Sequence, residues 1–164
     1  MEKRHQVIIV GGGPVGLALA VDLGQRNISC ALVERHVEIA RIPKGQNLTQ
    51  RTQEHFYFWN CVDELRAAPF LPPGYPIGGV TAYGSLMGDY WFAQEGREAV
   101  RSYYFQDNDR LPQYQTEAVL RTRVKALPSV TQLFGHAAKS VEQHDSGVTV
   151  KIQQEGWPYE DATI

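Results

Sequence analysis

An apolar β-branched run, Val7 to Val10, meets glycines at Gly11, Gly12, Gly13 and Gly16 and passes at Pro14 and Val15 into a small-residue helix. Few architectures accept that order. Gly11 permits a tight turn off the strand, Gly13 lets the backbone approach a pyrophosphate, and Gly16 lets helix and strand pack closely. The phosphates then sit on free N–H groups at the helix start. Pro14 fits an early helical position, where its missing N–H costs nothing, and a continuous apolar strand is the kind buried in parallel sheets. A second strand, Cys30 to Val33, ends in Glu34, 18 residues past Gly16 and in range for a carboxylate that accepts hydrogen bonds from a ribose. These features predict an α/β fold with a Rossmann-like, phosphate-binding βαβ unit.

Size and charge narrow the rest. The 164 residues suffice for one domain with a proper core. A formal net charge of −2, with 43% hydrophobic and 21% charged residues, gives no bias toward nucleic acid or a membrane surface. No apolar run reaches the roughly 18 residues of a membrane span, and the apolar stretch behind MEKRHQ is broken by glycines and Asp22. A cytoplasmic chain without a nucleic-acid or membrane partner is expected. Cys30 and Cys61 lack metal-ligand spacing and read as buried free thiols, and the histidines include no i, i+4 pair, so no metal site is expected.

Beyond the first βαβ unit, Arg35 to Gly45 is polar and irregular, and Asn47 or Thr49 caps a helix through about Cys61. Its aromatic residues Phe56, Tyr57, Phe58 and Trp59 read as core packing against the sheet. Prolines and glycines from Pro69 to Gly79 mark a loop. Short β-prone runs follow at Val80 to Tyr83, Tyr90 to Phe92 and Val100 to Phe105, forming a small antiparallel portion. A helix after Pro112 and Gln113, with Val119, Leu120, Val124 and Leu127 on one face, stops at Pro128. A strand at Val130 to Phe134 and a hairpin, Lys139 to His144 with Val148 to Gln153 around Asp145-Ser146-Gly147, complete the reading.

These residues resemble the N-terminal part of the FAD-dependent aromatic hydroxylases, the group typified by p-hydroxybenzoate hydroxylase and phenol hydroxylase. GGGPVG at Gly11 to Gly16 carries the proline common in flavin-binding fingerprints, and Glu34-Arg35 matches the Glu-Arg after the second strand. RIPKGQNLTQRTQEHF, Arg41 to Phe56, is similar to the segment in which a basic residue touches the flavin side; Lys44 aligns with the usual Arg, and Arg41 is the other candidate. PQYQTEAVL, Pro112 to Leu120, matches a Gln, Glu and Leu pattern through Gln113, Glu117 and Leu120, with Gln115 the rival for Gln113.

The resemblance implies FAD as cofactor, NAD(P)H as reductant and an aromatic, phenolic substrate hydroxylated with O2. Cofactor contacts are implied at Gly11, Gly12, Gly13, Pro14, Val15, Gly16, Glu34, Arg35, Arg41, Lys44 and Gln113. No general base is nominated; His55, Tyr83 and Tyr104 read as structural. The family's later Asp-Gly and Gly-Asp motifs are not in this sequence, so residues 1–164 read as a partial FAD-binding domain. Residues 1–68 and 111–164 form its nucleotide-binding part, and 75–108 a β-rich segment reaching toward a substrate domain. The family places the Val130 to Phe134 strand beside the second strand and the Asp-Gly strand on the far side of the first; without that strand Val7 to Val10 is an edge, which invites self-association. Two rival readings are a non-catalytic, truncated nucleotide-binding module and an NAD-dependent dehydrogenase.

Overall fold

The structure is a computed structural model that describes residues 4–42, 44–68, 79–82, 84–85, 87–93, 101–154 and 161–163. In chain order its elements begin β1 (Val7–Val10), α1 (Pro14–Gln25), β2 (Cys30–Glu34), β3 (Asn47–Leu48), α2 (Gln50–Phe58), α3 (Val62–Ala67), β4 (Gly79–Ala82) and β5 (Tyr90–Ala93). They continue with β6 (Asp109–Arg110), α4 (Gln113–Lys125), β7 (Val130–Phe134), β8 (His136–His144), β9 (Gly147–Gln154) and β10 (Asp161–Thr163). The chain divides into two compact units, Met1–Ile42 with Tyr114–Ile164, and Pro43–Gln113.

The first unit is built on a parallel sheet in the order β1-β2-β7, with Val7 opposite Cys30 and Cys30 opposite Val130. The expected neighbour of the second strand is therefore the observed one. Central β2 is apolar without alternation because both its faces are covered: Cys30, Ala31, Leu32 and Val33 are essentially buried. Helix α1 buries Leu17, Ala20, Val21 and Gly24 at helical spacing. Gly24 admits the close approach of β7, since a Cβ there would lie 2.6 Å from Val130 Cγ2. Ser129 Oγ donates to the Gly24 carbonyl at 2.7 Å and satisfies an acceptor at the helix end. The antiparallel sheet β10-β9-β8 adds Val150 and Ile152, which join Val33 in the core. The hairpin turns through Asp145-Ser146, with Gly147 at φ +146°, as the sequence predicted. Its strands run further than expected.

The second unit holds the departures. Thr49 is the N-cap of α2, its hydroxyl accepting from Thr52 N–H at 3.3 Å. The helix ends at Phe58 rather than Cys61, because Asn60 takes φ +54°, and α3 follows as an element the sequence reading lacked. Of the aromatic residues expected in the core, Phe56 and Trp59 are buried, three positions apart on one helix face. Tyr57 and Phe58 are exposed and meet Phe105 edge to face.

Strands β4 and β5 pair antiparallel as expected, with Val80 opposite Phe92. The third expected run is not a strand where it is described: Arg101 is helical and residues 102–103 form a turn, Tyr104 N–H donating to the Arg101 carbonyl at 3.2 Å. Val100 and Tyr83 lie outside the described residues. The turn is held from outside. Arg101 pairs with Asp107 at 3.0 Å, and Phe105 N–H donates to the buried Glu54 carboxylate at 3.2 Å. Backbone groups consumed this way cannot enter a ladder.

Candidate functional site

All three parallel strands end on the same side, at Val10, Glu34 and Phe134, and ligands of open α/β sheets bind outside the carboxyl ends of the strands. There the backbone turns at Gly11 with φ +109°, a conformation that L side chains rarely adopt. Gly13 is the N-cap of α1, Pro14 opens the helix, and no side chain caps its first turn. A Cβ added at Gly13 would meet nothing within 4 Å, so space lies open where a ligand's phosphates would approach, with the exposed Val15 beside it. Gly16 is the opposite case. A Cβ there would fall 1.9 Å from the Gly11 carbonyl oxygen.

Glu34 joins β2 to this turn. Its Oε2 accepts from Gly12 N–H at 2.6 Å and its Oε1 from His36 N–H at 2.8 Å. Gly12 is glycine because Glu34 passes so close: a Cβ would lie 2.7 Å from Glu34 Cβ. Burial opposes ionisation of this carboxyl. The N–H groups of His36 and Gly12, with the charge of Arg121, outweigh burial and hold its pKa below the ordinary carboxylate value. A carboxyl with a depressed folded-state pKa contributes stability that is present above its unfolded value and is lost as pH falls through the folded one. Replacing Glu34 by Gln is therefore expected to flatten the acid side of the Tm against pH profile, read by thermal melts. A profile as steep as the parent's would place the acid sensitivity elsewhere.

Beside the turn lies a cavity of about 360 Å³, lined by Val10, Gly11, Val33, Glu34, Arg35 and residues 136–139. Gly135, at φ +79°, swings the chain out of β7 so that His136, Ala137, Ala138 and Lys139 form one wall. The sequence reading missed that wall, although a glycine directly after a parallel strand was its available signal. Arg35, exposed, also lines the cavity, its Nε–H donating to His36 Nε2 at 3.1 Å.

The remaining sequence-predicted residues do not line this cavity. Arg41 is exposed in the connection that ends the first unit. Lys44 is exposed in the second unit, next to Gly45, whose carbonyl accepts from Gln113 N–H at 2.8 Å. A Cβ on Gly45 would sit 3.5 Å from Gln113 Oε1, so Gln113 lies beside the residue that follows Lys44. Gln115 is half-buried in α4, and Leu120 of the same motif is core. Among the described residues, no helix is long and apolar enough to cross a membrane, and no group of three His, Cys, Asp or Glu side chains could hold a metal ion.

A glycine turn opening an uncapped helix, a carboxylate at the end of the second strand and a cavity beside it define a binding domain for an adenine dinucleotide. The particular family follows from comparison. Residues 4–157 match the family described as FAD binding domain, and the chain belongs to that family. It is 28% identical over 92% of its length to 3-(3-hydroxy-phenyl)propionate/3-hydroxycinnamic acid hydroxylase 2 of Burkholderia vietnamiensis, covering 26% of that enzyme. It is 27% identical over 87% of its length to the probable NADH-specific resorcinol 4-hydroxylase of Rhodococcus jostii, again covering 26%. Among solved structures, the flavin-dependent monooxygenase PieE in complex with FAD and substrate matches 98% of this chain with TM-score 0.81 and 30% identity, over 28% of its own length. The chain thus spans about a quarter of the length of these relatives.

Proposed function

We propose that this chain is the cofactor-anchoring part of a flavoprotein monooxygenase that hydroxylates an aromatic, phenolic substrate with O2 and NAD(P)H. The observation that carries the reading is the Glu34 carboxylate, hydrogen-bonded to Gly12 N–H at 2.6 Å beside a helix start without a side-chain cap. That arrangement suits the ADP half of FAD. Residues Gly11 to Gly16 bind the pyrophosphate on backbone N–H groups, Glu34 accepts from the ribose hydroxyls, and Arg35 stands by the adenine. Lys44 and Gln113, with Arg41 as the second basic candidate, serve the flavin end. Residues 1–68 and 111–164 act as the nucleotide-binding part, and 75–108 extends toward the substrate. When bound and reduced by a nicotinamide cofactor, FAD supplies the electrons that activate O2. The chain's own residues bind and orient it.

The direct test is the visible spectrum of the purified chain before and after addition of FAD and desalting. Retained flavin absorbance is expected; a colourless protein that binds NAD instead would overturn the reading in favour of a dehydrogenase. Glu34→Ala is expected to weaken FAD binding by about 1 to 3 kcal/mol, the worth of a hydrogen bond to a charged group. Flavin fluorescence titration reads this, and unchanged affinity would remove Glu34 from the site.

A further inference from the structure

Arg121, on α4, belongs to none of the motifs above, yet it reaches the ends of two strands. Its Nη1 donates to the Val37 carbonyl at 2.5 Å, and its guanidinium lies 4.2 Å over the Phe134 ring. One side chain thus ties the chain leaving β2 to the last residue of β7, and residues directly after these two strands, Arg35 and His136 to Lys139, line the cavity at Glu34. Its Nε is buried without a hydrogen-bond partner, so the ring and the Val37 carbonyl are what orient the planar group. Val37 is itself exposed, so its own side chain gives this exit little anchorage.

We propose that Arg121 is a positioning residue of the adenosine site, holding the exit Glu34 to Val37 so that the Glu34 carboxylate faces the ribose. The proposal rests on the FAD reading above. Arg121 acts through Glu34, both by fixing the backbone and by its charge, which favours the ionised carboxylate. Other groups around Glu34 are the Gly12 N–H from the turn, His36 from its own exit, and Arg35, His136 and Lys139 on the cavity walls. A structural role alone would lower stability without changing how FAD binding responds to acid.

The experiment is FAD titration of the full chain across the acid range for the parent, Arg121→Gln, Arg121→Lys, Glu34→Gln and the Arg121→Gln/Glu34→Gln double variant. Arg121→Gln is expected to bind FAD about tenfold more weakly and to lose affinity nearer neutral pH than the parent. Arg121→Lys, which keeps the charge, restores the parent's acid response. In the Glu34→Gln background the Arg121→Gln change costs less than it does alone. An Arg121→Gln acid response that superimposes on the parent's, or effects of the two changes that add fully, overturns the proposal. If Arg121→Gln fails to fold, Phe134→Leu removes the ring beneath the guanidinium; weaker FAD binding is expected there, and unchanged binding overturns the proposal. A parent chain that binds no FAD overturns the cofactor reading and this proposal together. Loss in Glu34→Gln with none in Arg121→Gln overturns this proposal alone.

Discussion

Replacing Gly16 by Ala is expected to cost on the order of 4 kcal/mol or more of stability and to abolish FAD binding, because the new methyl has nowhere to go. The obstruction is backbone: Cβ would sit 1.9 Å from the Gly11 carbonyl oxygen and 3.3 Å from Ile9 Cγ2. A flexible side chain would rotate away, but a carbonyl at the end of β1 moves only with its strand. Relief requires α1 to lift off the sheet, and α1 carries Leu17, Ala20 and Val21, all fully buried. Chemical denaturation with flavin fluorescence reads both effects. Parent-like stability would mean that α1 and β1 are not packed this closely.

Gly12→Ala makes a narrower demand with nearly as large a functional effect. The added Cβ would lie 2.7 Å from Glu34 Cβ and 2.9 Å from its Cγ. Rotating Glu34 about χ1 moves Cγ but leaves Cβ in place, so the end of β2 must shift. A destabilisation of about 1 to 3 kcal/mol is expected from the overpacking. FAD affinity falls by more than Glu34→Ala alone produces, because the turn and the carboxylate are displaced together. Comparing the two variants by flavin titration checks this order of effects, and the reverse order would mean that the turn adapts around a methyl at position 12.

Much of this arrangement was legible from sequence because its requirements are local. The bounds of β1, the proline opening α1, the acidic end of β2 and the strand at Val130 to Phe134 each follow from a few adjacent residues whose chemistry allows little else. What could not be read depends on partners distant in the chain. Strands β3 and β6 are two residues each, joined across about sixty residues, and carry no periodicity of their own. The aromatic run near Phe105 looks like a strand until Glu54 takes its N–H. Tyr57 and Phe58 are exposed because a 100° step per residue separates them from Phe56 and Trp59. The cavity wall at His136 to Lys139 and the bridge made by Arg121 exist only once β7 lies beside β2.

The hydrogen bond from Gly12 to Glu34 also bears on how a cofactor would arrive. If Glu34 takes the ribose and the glycine turn the pyrophosphate, the hydrogen bond between them fixes the spacing of the two positions. Encounter then needs no slow rearrangement of this half of the site. Capture of the adenosine end would be a second-order event whose rate rises in proportion to ligand concentration.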